Sequence, residues 1–77
     1  MQPGQGRVVM CTAGKEKGGF YVVVQVLDSR YVLISDGKHR PLEKPKKKNL
    51  AHLQRTNYFI GEISTNRQLR TYLNSIS

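Results

Sequence analysis

The side chains best suited to chemistry in this 77-residue chain are cations, and they are concentrated in residues 38–49. This basic arm holds six Lys or Arg side chains and one carboxylate, Glu43, and so carries five of the eight net positive charges. A nucleic-acid backbone would bind such a cluster through its phosphates, whereas the plain alternative is a solvated charge run. The predicted anion-binding residues of the arm are Lys38, His39, Arg40, Lys44, Lys46, Lys47 and Lys48.

A glycine-rich loop, residues 13–19, is the second candidate. Lys15 and Lys17 would add phosphate contacts, and Gly18 and Gly19 would let a phosphate approach the backbone amides closely. Gly14 and Gly19 have the spacing of a nucleotide phosphate loop, but Phe and Tyr follow where Lys and Ser or Thr are required. A turn between strands is therefore favoured over a mononucleotide site.

The other reactive residue types form no catalytic or metal-binding pattern. His39, His52 and Cys11 are far apart and lack paired ligand spacing, so we predict no metal site and no cofactor. The five carboxylates include no close pair, and the serines have no neighbouring base. We therefore predict that the chain is not an enzyme and takes no small-molecule substrate.

Composition limits the class of protein. Thirteen Lys and Arg against five Asp and Glu give a net charge of +8, which favours an acidic partner. The 38% apolar content is bunched into short runs, so we expect one folded domain over residues 1–77, monomeric when free. With one cysteine and no apolar run long enough for a membrane or a signal peptide, we expect a cytoplasmic protein with no membrane partner.

The elements that must position these residues are mainly strands. Residues 7–12, 20–27 and 31–35 are rich in β-branched and aromatic types, and Asp36-Gly37 after the third is a hairpin signal. Pro41 and Pro45 predict a stiffened, irregular arm that allows a short edge strand around 39–42. A last strand is expected over 50–55, with Tyr58, Phe59 and Ile60 as apolar cover, to close a sheet or barrel over about 6–60.

A short helix is predicted over residues 65–76. Thr65 and Gln68 fit a capping box, and Leu69, Leu73 and Ile76 recur on one face together with Tyr72. A helix of this length is unstable alone, so the apolar stripe must dock on the sheet. Arg67 and Arg70 would then face outward.

Aromatic residues are few, which limits how a nucleic acid would be read. Phe20, Tyr21 and Tyr31 lie near the loop or the turn, where stacking on an unpaired base is feasible, but at least two should pack in the core. Structured RNA, read by shape and phosphate position, fits this composition better than a long single strand.

The order of strand, Gly-x-x-x-Gly-Gly loop and Val-rich strand, from Val8 to Val24, resembles the KOW motif. The stretch from Asp36 to Leu53, with its Lys-Pro-Lys-Lys-Lys-Asn, is similar to ribosomal proteins of the L-fourteen-e kind and more so to small bacterial KOW-domain RNA-binding proteins. This resemblance implies an SH3-like barrel of about five strands that binds ribosomal RNA. It assigns RNA contacts to the glycine loop, including Gly18, and to Arg40, Lys44, Lys46, Lys47, Lys48 and Asn49.

The sequence thus favours a non-catalytic RNA-binding module that acts on ribosomal RNA or the large ribosomal subunit. Two other classes stay open at this point. KOW barrels in some transcription elongation factors contact proteins, so the chain could be an interaction adaptor. The same charge would also support non-specific binding to duplex DNA.

Overall fold

The described chain consists of five antiparallel strands followed by a helix. The computed structural model describes residues 4–62 and 65–76. The elements are β1 (Arg7–Cys11), β2 (Phe20–Val26), β3 (Tyr31–Ser35), β4 (Lys46–Asn49), a single 3₁₀ turn (Leu50–His52), β5 (Leu53–Phe59) and α1 (Asn66–Ile76). The strands form one sheet in the order β4-β3-β2-β1-β5. This arrangement confirms the mainly β class with five strands and a C-terminal helix.

β2 lies at the centre of the sheet because its valines are apolar on both faces. Val22 pairs with Val8 of β1 and with Ser35 of β3, and its neighbour Val23 pairs with Ile34. Val22 and Val23 point to opposite faces, yet both are fully buried. The sheet is therefore covered on both sides.

The inner face of the sheet closes around its own core. Its buried members are Val9, Cys11, Tyr21, Val23, Val32 and Ile34, and Leu50 and Leu53 pack against them. Since these residues come from the sheet and from the 3₁₀ turn beside it, their burial requires the sheet to curl on itself. Irregular pairing at Arg7/Val9 and at Val23/Gln25 marks the bulges that bend the strands.

Helix α1 covers the outer face. Leu69 and Leu73 are buried against Val8 and Val22 of the two central strands, as the sequence stripe predicts. Ile76 and Tyr72 are partly buried in the same cluster. The amide of Gln68 donates to Oγ1 of Thr65 at 3.1 Å, so Thr65 caps the start of α1 as one half of the predicted capping box requires.

The basic arm differs from its prediction. Residues 46–49 are not irregular but form strand β4, in which Lys48 pairs with Val32 and Lys46 with Ile34. The short edge strand that the sequence allowed around 39–42 does not form, because the chain turns over 36–40 and the amide of Leu42 donates to Oδ1 of Asn66. Asp36-Gly37 thus opens a long connection to β4 in place of a tight hairpin.

The end of the sheet also departs from expectation. β5 begins at Leu53, since Leu50–His52 forms a 3₁₀ turn whose Ala51 amide donates to Oδ1 of Asn49. Tyr58 and Phe59 do not cover the core. Both belong to the edge strand β5 and are 46% and 55% exposed. Ile60 packs beneath α1, as expected of apolar cover.

Candidate nucleic-acid interface

A concave surface lies between the β1–β2 loop, the turn after β3 and the side of α1 that carries Arg70, Leu73 and Asn74. We call it the basic cleft. Its cationic or potentially cationic lining residues are Lys15, Lys17, Lys38, His39, Arg40 and Arg70. Glu16 and Asp36 are the carboxylates of the lining, so the cleft is positive. Three elements that are distant in sequence therefore present one cationic surface.

The cleft gathers part of the predicted site. The residues that line it are Lys15, Lys17, Gly18, Gly19, Lys38, His39 and Arg40. The remaining predicted residues, which do not line it, are Lys44, Lys46, Lys47, Lys48 and Asn49. The glycine loop and the first residues of the basic arm thus meet, whereas β4 carries the rest of the arm away.

Glu16 links the β1–β2 loop to two cations of the arm. Its Oε2 accepts from Nη2 of Arg40 at 2.8 Å and its Oε1 from Nζ of Lys48 at 3.0 Å. The Glu16 side chain is only 8% exposed. The hydrogen bonds from Arg40 and then Lys48 lower the pKa of Glu16 from its usual value of 4.5 to about 2. The carboxylate is therefore ionised at neutral pH and neutralises part of the arm's charge.

Lys48 lies inside the molecule. Its side chain is 8% exposed, and its ammonium also donates to the carbonyl of Ala13 at 3.1 Å. In β4 it alternates with exposed Lys47, so strand register turns it toward the inner face. Lys48 ties β4 to the β1–β2 loop and is not presented to an external phosphate.

The turn after β3 is organised by Asp36 and Ser35. Oδ1 of Asp36 accepts from the amides of Lys38 and Arg40 at 2.9 and 2.8 Å. Oγ of Ser35 donates to the carbonyl of Arg40 and accepts from the amide of Gly37. These bonds fix the backbone that carries Lys38, His39 and Arg40 at the edge of the cleft.

Helix α1 contributes a cation that sequence reasoning missed. Arg70, expected to face outward, lines the cleft and donates from Nη1 to the carbonyl of Gly37 at 2.9 Å. Asn74 lines the cleft one turn further on. Helical spacing could have predicted this position. Residues 70 and 74 are four apart, and each follows a docked leucine, 69 or 73, so both lie on the same side of the helix next to the sheet.

The glycine loop differs in one respect from its prediction. The amide of Gly18 donates to the carbonyl of Cys11 at 2.7 Å and that of Gly19 to the carbonyl of Glu16 at 3.0 Å. These amides are used within the loop and are not directed at an external phosphate. Gly18 has φ +87° and open space around the position of a Cβ, so it still permits close approach.

The aromatic residues mostly serve packing. Tyr21 is buried in the inner core, where burial and the nearby charge of Asp36 raise its pKa to about 12. Phe20 packs against the outer cluster beneath α1. Tyr31 is half-buried and contacts Lys47, whose Nζ lies 4.5 Å from the ring centroid. Core packing of Tyr21 and Phe20 agrees with the prediction that at least two of the three are structural.

Other reactive groups have plain structural roles. Cys11 is fully buried in the inner core, as predicted, and burial raises the pKa of its thiol. Within residues 4–62 and 65–76, no three His, Cys, Asp or Glu side chains come together as a metal site would require. In the same part of the chain, no helix has the length and apolar character to span a membrane.

No protein-family model matches the chain. The chain is similar to an archaeal ribosomal protein. Large ribosomal subunit protein eL14 of Desulfurococcus amylolyticus is 35% identical over 51 residues, which are 66% of this chain. The matched region is 53% of that protein, so the chain spans about half the length of this relative.

Proposed function

We propose that the chain is a non-catalytic RNA-binding module of the KOW type that binds ribosomal RNA through the basic cleft. In this proposal Lys15, Lys17, Lys38 and Arg40 contact phosphates, and Arg70 extends the contact surface onto α1. The protein acts in the cytoplasm with the large ribosomal subunit, is monomeric when free and needs no cofactor.

The observation that carries this proposal is the convergence of cations from three elements in one concavity. A solvated charge run would spread its charges around the surface, whereas here separate segments face a common space. The buried or half-buried state of Phe20 and Tyr21 leaves little stacking area in the cleft. Backbone recognition of folded RNA is therefore favoured over base stacking along a single strand.

The similarity to a large-subunit ribosomal protein supports the same assignment. Because ribosomes are built on RNA, this similarity favours RNA over other acidic partners such as an acidic protein surface. The assignment of individual contacts comes from the geometry of the cleft, because the matched region covers only part of either chain.

Salt dependence tests the phosphate contacts. If about five cleft cations neutralise phosphates, the affinity for an rRNA fragment should fall roughly 100- to 1000-fold between ~50 and ~200 mM salt. Fluorescence anisotropy with a labelled fragment measures this slope. A flat response contradicts phosphate binding, and equal binding to the fragment, to a plain RNA duplex and to B-form DNA contradicts the ribosomal target.

A matched pair of triple variants tests the position of the interface. Replacing Lys15, Lys17 and Lys38 with Ala should weaken RNA binding. It should also reduce the slope of log affinity against log salt concentration by roughly three, about one for each lost phosphate contact. Replacing Arg30, Arg55 and Arg67 with Ala removes the same charge from exposed positions that do not line the cleft. Equal losses in the two variants would show that overall charge, and not the cleft, drives binding.

A further inference from the structure

Arg40 is a cleft cation whose backbone and side chain are both held by hydrogen bonds. Its amide donates to Oδ1 of Asp36 at 2.8 Å, and its carbonyl accepts from Oγ of Ser35. The amides of Asp36 and Gly37 also donate to this carbonyl, at 3.1 and 3.2 Å. At the other end of the side chain, Nη2 donates to Oε2 of Glu16. Arg40 is thus anchored at its amide, its carbonyl and one guanidinium nitrogen.

The partner that holds the guanidinium is itself fixed. Glu16 is 8% exposed, and its second oxygen accepts from Lys48, whose ammonium also binds the carbonyl of Ala13. The position of Arg40 is therefore defined relative to both the β1–β2 loop and β4. Its side chain remains 34% exposed and lines the cleft, so the rest of the planar donor group can meet a ligand.

The lysines of the cleft have a different character. Lys15, Lys17 and Lys38 are exposed, and an ammonium on a four-carbon stem is a mobile point charge. Such charges can follow phosphates at many spacings, so they add affinity without discriminating between duplex forms. A guanidinium that is held in one place can donate to a phosphate at one position only. It loses little conformational entropy when it binds.

We propose that Arg40, positioned by Glu16, sets the preference of the cleft for A-form RNA over B-form DNA, an inference that rests on the proposed RNA-binding function. The two duplex forms place their phosphates differently across the grooves. In this proposal the fixed guanidinium fits the phosphate arrangement of A-form RNA, while the mobile lysines tolerate both forms. Glu16, although anionic in a cationic cleft, thereby supports RNA binding as a positioning residue.

The test compares an RNA hairpin duplex with a DNA duplex of the same sequence at one salt concentration. For Arg40→Lys, which keeps the charge, RNA affinity should fall about tenfold and DNA affinity by less than about twofold, because the fixed fork is lost. Lys38→Ala is the control: it removes a charge from a mobile position and should weaken both ligands by the same factor. The ratio of the two affinities is the readout.

Glu16→Gln is an independent test, because the proposal and the change in net charge predict different outcomes for it. The substitution makes the protein more positive, so charge alone predicts tighter binding of both duplexes. The proposal predicts that the RNA-to-DNA ratio falls toward that of Arg40→Lys. Circular dichroism of both variants verifies that they fold. If Glu16→Gln does not fold, Arg40→Lys alone tests the proposal, because this substitution keeps the backbone hydrogen bonds of the turn.

The results separate the two proposals. An unchanged ratio in Arg40→Lys, or a Glu16→Gln protein that binds both duplexes more tightly at the wild-type ratio, overturns the specificity role. A wild-type protein that binds RNA and DNA equally also overturns it, while leaving salt-dependent RNA binding intact. A wild-type protein that binds no RNA overturns the proposed function as well.

Discussion

At the scale of single residues, Glu16 controls how two cations of the arm are presented, Arg40 and Lys48. Its carboxylate binds Arg40 and Lys48, which lie 24 and 32 residues away in the chain. The contact with Lys48 is largely withdrawn from water on both sides, so it is less screened by salt than a surface ion pair, whereas the Arg40 side chain stays 34% exposed. The pair of bonds joins the β1–β2 loop to the arm and keeps Lys48 buried without an unsatisfied charge.

The lowered pKa of Glu16 predicts acid sensitivity. Because its pKa is about 2 in the folded chain and 4.5 ordinarily, the ionised form stabilises the fold. This contribution is fully present above about pH 4.5 and is lost as the pH falls toward about 2. Urea unfolding should give a lower free energy of unfolding at about pH 3 than at about pH 6 for the wild type. The decrease should be smaller for Glu16→Gln.

Glu62→Gln is the matched control for this prediction, since it removes an exposed carboxylate. It should keep the acid sensitivity of the wild type. If Glu16→Gln loses as much stability between the two pH values as the wild type does, the ion pairs of Glu16 do not stabilise the fold.

At the scale of elements, the contact between the turn after β3 and helix α1 holds the two sides of the cleft together. Gly37 has φ +76°, and a Cβ at this position would lie 2.5 Å from the carbonyl oxygen of Asn66. The Asn66 side chain in turn binds the amide of Leu42 and the carboxylate of Glu43. The turn and the start of α1 are therefore packed backbone against backbone, with no room for a side chain.

Substitution of this glycine tests that junction. Gly37→Ala should destabilise the fold by roughly 3 kcal/mol or more, because backbone strain and a clash with the helix add together. Gly18→Ala is the control, with φ +87° but nothing within 4 Å of the added Cβ, and should cost roughly 1–2 kcal/mol. Equal unfolding free energies for the two variants would contradict the close packing at Gly37.

At the scale of the whole molecule, a charge of +8 on 77 residues acts in two opposite directions. It attracts a polyanion, and it also makes the folded protein repel itself. Added salt screens both effects. Stability and RNA affinity should therefore respond to salt with opposite signs.

This contrast can be measured on one sample of protein. Raising NaCl from ~0.05 to ~0.2 M should raise the urea midpoint of unfolding, since screening relieves self-repulsion, while the RNA affinity falls. Chemical denaturation followed by circular dichroism gives the first trend and anisotropy the second. A midpoint that falls with salt would mean that attractive ion pairs, and not repulsion, dominate the electrostatic energy of the fold.

Local patterns in the sequence were enough to predict several elements. The first three strands and the helix follow from runs of β-branched residues and from leucine spacing, and β3 has the predicted bounds. β4 could not be predicted from propensity, because Lys46, Lys47 and Lys48 are poor strand formers on their own. It forms because pairing with β3 supplies its hydrogen bonds and lets Lys48 reach Glu16.

The sequence by itself determined the sign of the surface charge, the strand-rich class and the apolar stripe of the helix, since each depends on residues close together in the chain. Only the tertiary structure decided which cations face a common cleft. Strand register turns Lys48 inward, helix docking brings Arg70 beside the turn, and a carboxylate from another loop fixes Arg40. These are contacts between residues sixteen or more positions apart, and composition and local spacing do not specify which of them meet.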